Sequence, residues 1–526
     1  MGSHARPSFW EGRPPVLKLT AAELARGMSD FEPRVDGASG SGDAWRKRGG
    51  RAPTLPVDRS LGQHLESFVA SKFVWELGEV LDSFVPERTC GRPLGMSGPC
   101  VAMYLLAADE ARSLRKAERE FRDPIVWGRL CAAAEKWGAL HPERRLPLKP
   151  PSRSQFHRFQ RQYLSNEEAA AAVREKCREL SAEVLKLIGA FDRTKGSLTH
   201  PDPASMLTGD GTWLKAMFNR PPDDVLYDEY GERTRRVDPD AVPQQPGDVI
   251  VGRHVVVAVG ETGFPNERVV ADIAVKPLRG TDADMFVEMV RELSPLLDAT
   301  TVAYDMAMDA ENQDDVLQMG IVPVVKVRLN RRGEPSIRPL GPHTVTLADG
   351  SKRTVPALAH DGRVCLNLGT PEDLNLLVLH HQQLKKSQLK SGREFHIVCK
   401  VPSDPEVPRR WRGATTVVRL TSLKSEIASG TRRTTGLRAF PEGTPTFDEL
   451  FGQREANEST NDHLKARLHR SRVRCVGVNR WQLMLCAYQG TRAITALLAW
   501  HHRTGGDVSA WFGDWQPPPE RGSKKA

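Results

Sequence analysis

Three carboxylates stand where side chains could bind divalent metal ions. Asp210 closes the strand-like run LTGD, Asp305 ends the strand-like run TTVAYD, and Glu458 lies in the helix-like segment FGQREANESTNDHLK. Carboxylate oxygens are ligands that Mg²⁺ prefers, and two metal ions held between carboxylates can keep the attacking and leaving oxygens of a phosphoryl transfer in line. These residues therefore predict a site that cuts or joins nucleic acid.

Cationic side chains flank Glu458 at helical spacing. At about 100° per residue, Arg454 lies about 40°, Lys465 about 20° and Asn461 about 60° from Glu458 around a helix. One helical face would then combine a metal ligand with groups that bind phosphate. Taken alone, the segment is better explained as an exposed helix stabilised by weak ion pairs. The two aspartates and the order of the strands favour the site.

The bulk composition excludes several classes of protein. A hydrophobic fraction of 39% and a charged fraction of 27% are typical of a soluble globular chain, and no run of about 18 apolar residues occurs. The N-terminal sequence lacks the apolar centre of a signal peptide, so we expect a cytoplasmic protein. The eight cysteines form no C-x-x-C pair, which argues against structural zinc.

Charge is distributed unevenly along the chain. Residues 202–315 contain 23 acidic and 10 basic residues, a balance of −13, so the rest of the +9 chain carries +22. An acidic segment between basic flanks suits an enzyme that binds cations centrally and phosphates around them. The alternative is that the acidic loops are merely solvated.

Shifts in composition and periodicity predict the domain organisation. We expect a flexible basic arm, a helical DNA-binding region, the first part of a catalytic core, a β-rich insertion, the helical second part of the core, and a C-terminal tail. The respective boundaries are 1–60, 61–200, 201–330, 331–445, 446–505 and 506–526.

The fold class follows from the order of elements in the core. Three strands in succession are followed by strands that alternate with helices, which predicts a mixed α/β sheet flanked by helices. This order is what a ribonuclease H-like core would produce. Short helices with exposed arginines precede it, and a structural helix bundle with a solvated basic face explains them nearly as well.

At this point the chain resembles a family. The segment containing Phe451, Arg454, Glu458 and Lys465 is similar to the Tyr-Arg-Glu-Lys signature of the DDE transposases of bacterial insertion sequences, with Phe451 in place of the tyrosine. DGTW at 210–213 and YDMAMD at 304–309 are similar to the blocks that hold the first two catalytic aspartates of that family.

The resemblance implies a function and its components. Asp210, Asp305 and Glu458 would be catalytic and would bind two Mg²⁺ or Mn²⁺ ions. The DNA contacts would come from five residues, Arg454, Lys465, Asn461, Arg158 and Arg112. The resemblance further implies a bacterial, nucleoid-associated enzyme that acts on double-stranded DNA at the ends of a mobile element, as a homodimer on DNA.

Two other functions remain open from the sequence. A metal-dependent DNA nuclease would use the same carboxylates but would release its products without joining them. A non-catalytic DNA-binding relative of a transposase would need only the basic helices, and it would have no use for three acids in a site that faces phosphate.

Overall fold

The fold is derived from a computed structural model. It describes residues 16–20, 61–86, 96–137, 141–220, 237–245, 248–329, 337–389, 392–468 and 472–517. The predicted basic arm, apart from residues 16–20, and the end of the predicted tail lie outside these ranges. None of the described helices combines the length and the apolar character needed to cross a bilayer.

The described α-helices fall mainly in the N-terminal and C-terminal parts of the chain. In chain order they are α1 (Leu61–Ala70), α2 (Lys72–Ser83), α3 (Gly98–Glu110), α4 (Leu114–Arg122), α5 (Pro124–Ala134), α6 (Arg153–Tyr163), α7 (Glu167–Leu187), α8 (Asp282–Leu293), α9 (Ala310–Met319), α10 (Lys424–Ala428), α11 (Pro445–Gly452), α12 (Glu455–Arg467), α13 (Val478–Thr504) and α14 (Ser509–Phe512).

The described strands belong to two sheets. They are β1 (Val16–Thr20), β2 (Met206–Lys215), β3 (Val242–Pro243), β4 (Val251–Gly260), β5 (Val269–Val275), β6 (Thr301–Ala303), β7 (Val322–Val324), β8 (Arg338–Thr346), β9 (Lys352–His360), β10 (Arg363–Asn367), β11 (Asp373–Val378), β12 (His380–Leu389), β13 (Gly392–Lys400) and β14 (Thr415–Arg419).

One sheet is antiparallel and the other is mixed. The eight-stranded sheet has the order β1-β11-β10-β9-β8-β14-β13-β12, and each of its pairs is antiparallel. The mixed sheet has the order β3-β4-β2-β6-β7, with β5 paired to β4. Strands β2, β6 and β7 run parallel, whereas β4 pairs antiparallel with β3 and β5. The expected mixed α/β architecture is therefore present.

The chain divides into two compact units. The first comprises Met1–Arg48, Asp192–Thr208 and Asp298–Glu455, and the second comprises Gly49–Phe191, Gly209–Leu297 and Ala456–Ala526. Strand β2 contributes its first three residues to the first unit and the remainder to the second. Both units are assembled from segments that are far apart in sequence.

The first unit is built around the antiparallel sheet. Its core joins the strands β8 to β14 with helices α9 and α11, and includes buried side chains such as Phe395, Trp411 and Phe447. Strand β1 pairs with β11 from Val16↔Leu377 to Thr20↔Asp373. This pairing places a strand within the segment that was predicted to be a flexible basic arm. Residues 17–20 alternate apolar and polar, the pattern of a strand, and β11 offers backbone groups for pairing.

The second unit packs helices on the longest strands of the mixed sheet. Helices α7 and α13 pack against β5, and α8 packs against β4 and β5. The burial of every residue of β5 is consistent with cover on both faces. A capping box starts α8, in which Thr281 and Asp284 each accept a hydrogen bond from the other's backbone N–H, and this fixes the position of Asp282 at the first turn.

Candidate functional site

Strand β2 presents Asp210 in the second unit. The aspartate lies within the strand, five residues before its end at Lys215, so the expectation that it closes a strand is corrected: the polar pair Asp210 and Thr212 is accommodated within β2. Gly209 and Gly211 are approached by Phe286 and Asp282 of α8 so closely that an added Cβ would overlap them. Because side chains alternate across a strand, Asp210 is on the opposite face from these contacts.

The opposite face of β2 meets helix α12. The Asn461 Nδ2 donates a hydrogen bond of 2.7 Å to the Asp210 Oδ2, across 251 residues of sequence. Asn461, which was predicted to contact DNA, is only 4% exposed. Helical periodicity identified a polar residue near Glu458 but not which side of the helix would be buried. Here the amide positions the carboxylate of Asp210.

Two amide groups on this side of α12 have unused hydrogen-bonding atoms. Among the described residues, the Oδ1 of Asn461 and both amide atoms of Asn457 are buried without a hydrogen-bond partner. Asn457 is one helical turn before Asn461 and is 0% exposed. A buried polar atom without a partner costs about 1–3 kcal/mol. The oxygen of Asn461 is a hard donor of the kind that Mg²⁺ accepts.

Glu458 and Lys465 both lie on α12, in the second unit. Glu458 is exposed and precedes Asn461 by three residues, and Lys465 is partly exposed in the last turn. Glu455, a second carboxylate on this helix, is its exposed first residue. The helix therefore carries the predicted glutamate one turn from the side chain that binds Asp210.

The predicted continuous helix is interrupted. Helix α11 ends at Gly452 and α12 begins at Glu455, so Phe451 and Arg454 precede the helix of Glu458 and belong to the first unit. The backbone N–H of Arg454 bonds the carbonyl of Phe451 at 3.0 Å in a turn. Glycine disfavours helix continuation, and this corrects the prediction of one stripe from Phe451 to Lys465.

Two cationic side chains lie beside the ring of Phe451 in the first unit. The Arg454 guanidinium lies 5.8 Å from its ring centroid and the Lys326 ammonium 5.3 Å from it. Phe447 stacks on the same ring at 5.0 Å. The ring of Phe451 thus holds both cations by contact with its π-face.

Asp305 lies two residues after the end of β6, in the first unit. It is partly exposed, and its Oδ1 accepts a 2.9 Å hydrogen bond from the Ala307 backbone. Asp309, the neighbouring carboxylate, instead caps α9 by accepting from the Asn312 backbone at 3.0 Å. Asp309 thus has a structural role, which leaves Asp305 as the candidate in this segment.

Among the described residues, no group of three or more His, Cys, Asp or Glu side chains is close enough to hold a metal ion. Within the second unit, Asp210 and Glu458 belong to no such group. In the second unit the structure brings Asp210 together with Asn461.

A histidine-carboxylate pair beside β2 was not predicted from the sequence. The Nδ1 of His254 lies 2.9 Å from the Oδ2 of Asp282, with side-chain exposures of 40% and 23%. The Trp213 ring contacts the His254 ring edge-on, with centroids 5.1 Å apart. The capping box TDAD signals the helix that carries Asp282, but no spacing in the sequence connects it to His254.

The predicted DNA contacts of the helical region are on the surface. Arg158 is exposed on α6, and Arg112 is exposed in the turn between α3 and α4. The backbone of Arg112 has a φ of 53°, a left-handed conformation that is uncommon for residues other than glycine.

The C-terminal end of α12 is anchored by an ion-pair network. Arg467 donates to the Glu110 Oε2 at 2.6 Å, and His64 lies 2.8 Å from the Glu110 Oε1. Burial would raise the pKa of Glu110, but the hydrogen bond from His64 and the charge of Arg467 outweigh it and lower the pKa to about 2. This network holds α12 to α1 and α3.

The pH dependence of stability should reflect Glu110. Because the folded-state pKa of Glu110 is below its ordinary value of 4.5, its contribution to stability is present above about pH 4.5 and is lost as pH falls towards 2. At pH 7 this contribution is worth about 3 kcal/mol. Urea unfolding of the wild type and Glu110→Gln should therefore differ at pH 7 and converge at low pH. Exposed Glu175→Gln serves as the control. A difference between wild type and Glu110→Gln that does not change with pH would contradict the assignment.

Comparisons with known proteins identify no family for this chain. No protein family matches it, and no curated protein matches it. Among solved structures, it is similar to the cryo-EM structure of a piggyBac transposase synaptic complex with hairpin DNA, with 12% sequence identity and a TM-score of 0.31 over 87% of this chain and 79% of that one. So low a TM-score does not establish a shared fold.

Proposed function

We propose that the protein is a DNA transposase with a ribonuclease H-like catalytic core. The observation that carries the proposal is the hydrogen bond from Asn461 to Asp210, because it seats the helix of Glu458 against the strand of the first predicted aspartate. Two chain segments that are 251 residues apart in sequence thus bring the carboxylate of Asp210 to the helix that carries Glu458.

The strand order supports this core. Antiparallel β5 and β4, then β2, then parallel β6 and β7, match the expectation of three successive strands followed by strands that alternate with helices. Asp305 enters the proposal by its position: β6 runs parallel to β2 through Leu207↔Val302 and Thr208↔Ala303, and the aspartate follows β6 by two residues.

In the proposed reaction, Asp210, Asp305 and Glu458 would hold two Mg²⁺ ions. Bound there, the metals would activate a water for strand cleavage and then a DNA 3′-hydroxyl for joining. The chain's own contribution is positional: Asn461 orients the carboxylate of Asp210, and its Oδ1 adds a hard oxygen donor. Lys465 and Arg454 would bind DNA phosphates as charge-assisted donors.

The test is a cleavage and joining assay. Labelled linear DNA carrying the ends that flank this gene is incubated with the protein and target DNA, with Mg²⁺ or with a chelator. Metal-dependent cleavage followed by joined product is expected. Cleavage without joining would replace transposition by a nuclease function, and DNA binding without cleavage would indicate a non-catalytic relative.

A further inference from the structure

The second unit contains a large cavity built by its helices. It has a volume of about 1260 Å³ and is lined by α3, α4 and α6, the residues after β2, the end of α12, and the start of α13. Ligand pockets typically measure about 300–1,000 Å³. The cavity is therefore large enough for a ligand bigger than one drug-sized molecule.

Positive charge dominates the described lining of this cavity. Asp109 is its one carboxylate, and that group already accepts a hydrogen bond from the Thr491 hydroxyl at 2.8 Å. Helices α4 and α6 begin at the wall, which adds the positive ends of two helix dipoles. The lining cations are Arg112, Arg115, Lys116, Arg153, Arg467, Arg474 and Arg480.

Two of these cations are engaged within the protein. Arg467 pairs with Glu110, and Arg474 donates to backbone carbonyls. The other five have no carboxylate within ion-pair distance among the described residues. Burial lowers the pKa of His157, and the nearby charges of Arg153 and Arg480 lower it further. Among the described residues, positive charge is therefore crowded at this wall.

Apolar side chains form another part of the lining. Met217 is 44% exposed, and it lies in the lining with Phe218, Val476 and Met484. A flat aromatic ring can lie on such a surface, while the cations attract phosphate. Nucleotides combine these two parts.

We propose that this cavity binds nucleotides, and that its ligand is an unpaired DNA strand. The volume favours a strand over a single free nucleotide, and the clustered cations suit successive phosphates with bases on the apolar surface. The inference deepens the proposed function by naming a class of DNA for this region, but it involves no metal and no reaction step. A protein that bound such a strand and never cut DNA would retain this cavity assignment and lose the transposase assignment.

The test measures strand binding without divalent metal. A labelled single strand of ten thymidylates is titrated by fluorescence anisotropy against the full chain over a range of salt. The cavity variant is Arg115→Gln with Lys116→Gln. The control is Arg119→Gln with Arg122→Gln, which removes two exposed charges from the same helix outside the cavity. Melting temperatures verify that both variants fold.

The cavity variant should bind the strand more than about tenfold more weakly at 0.1 M salt and reduce the salt slope by about 1.4, because single strands lose about 0.7 per phosphate contact. The control should bind as the wild type does. Equal losses in both variants would overturn the proposal. So would a ten-base-pair duplex that bound as tightly as the strand with the same sensitivity to the cavity variant.

Competitors separate the sources of the nucleotide. If ATP at millimolar concentration displaces the strand and tripolyphosphate does not, the cavity recognises nucleotides and its ligand is a free nucleotide. If neither displaces it, the strand is the ligand. Displacement by tripolyphosphate as effective as that by ATP would overturn the proposal, because the base would then contribute nothing.

Discussion

Asp210→Asn and Glu458→Gln are each expected to reduce metal-dependent DNA cleavage by roughly a thousandfold or more. Loss of a carboxylate that holds a catalytic metal removes several kcal/mol of transition-state stabilisation. Each loss of about 1.4 kcal/mol lowers the rate tenfold. The rate of cleavage of labelled DNA ends at saturating Mg²⁺ measures the effect. The fold should survive, because the amide oxygen of an asparagine at 210 can still accept the hydrogen bond from Asn461.

Two variants control this experiment. Glu455→Gln alters an exposed carboxylate three residues from Glu458 on the same helix and should cut at the wild-type rate. Asn461→Ala removes the donor to Asp210 and should lower stability by about 1–3 kcal/mol, with a smaller loss of rate. Cleavage by Asp210→Asn at the wild-type rate would contradict the proposal that Asp210 binds a catalytic metal ion.

Asp272→Ala should lower the free energy of unfolding by about 3–5 kcal/mol, because it breaks a buried ion pair. Asp272 is fully buried in β5 and accepts two hydrogen bonds from Arg174, at 2.6 and 3.0 Å. The substitution leaves the guanidinium of Arg174 without its buried carboxylate. The shift of the urea midpoint measures the loss.

Glu292→Ala is a matched control. Glu292 binds Arg174 at 3.2 Å and Arg178 at 2.5 Å, but its side chain is 39% exposed. An exposed pair contributes about 0–1 kcal/mol. Similar losses for Glu292→Ala and Asp272→Ala would show that burial does not set the energy of this network.

The elements of the fold were predictable where periodicity is strong. A mixed sheet flanked by helices was predicted from the order of the elements, and strands β4 and β5 with the covering helix α8 are part of it. The helix break at Gln453 and Arg454 was missed, since a helical stripe counted from Phe451 to Lys465 ignores the single glycine that ends α11. The strand at Val16–Thr20 was missed because the composition around it is that of an unstructured arm.

The candidate site was predictable only in part. The sequence indicated Asp210 and Glu458, and α12 does meet β2. It did not show that Asn461 would face inwards, because a polar stripe has the same pattern whether it faces water or a partly buried carboxylate of the protein. The pair of His254 and Asp282 depends on contact between a strand and a helix that share no sequence spacing, so no motif search would find it.

The contact between Asp210 and Asn461 can form only late in synthesis of the chain. At about 5–20 residues per second, a ribosome adds the 251 residues that separate them in about 13 to 50 s. During that interval the apolar side chains of β4 and β5 lack the cover that Leu464, Trp481 and Leu485 later supply. A nascent chain that ends before residue 456 therefore carries an uncovered hydrophobic surface, and completion of the C-terminal helices decides whether it folds or aggregates.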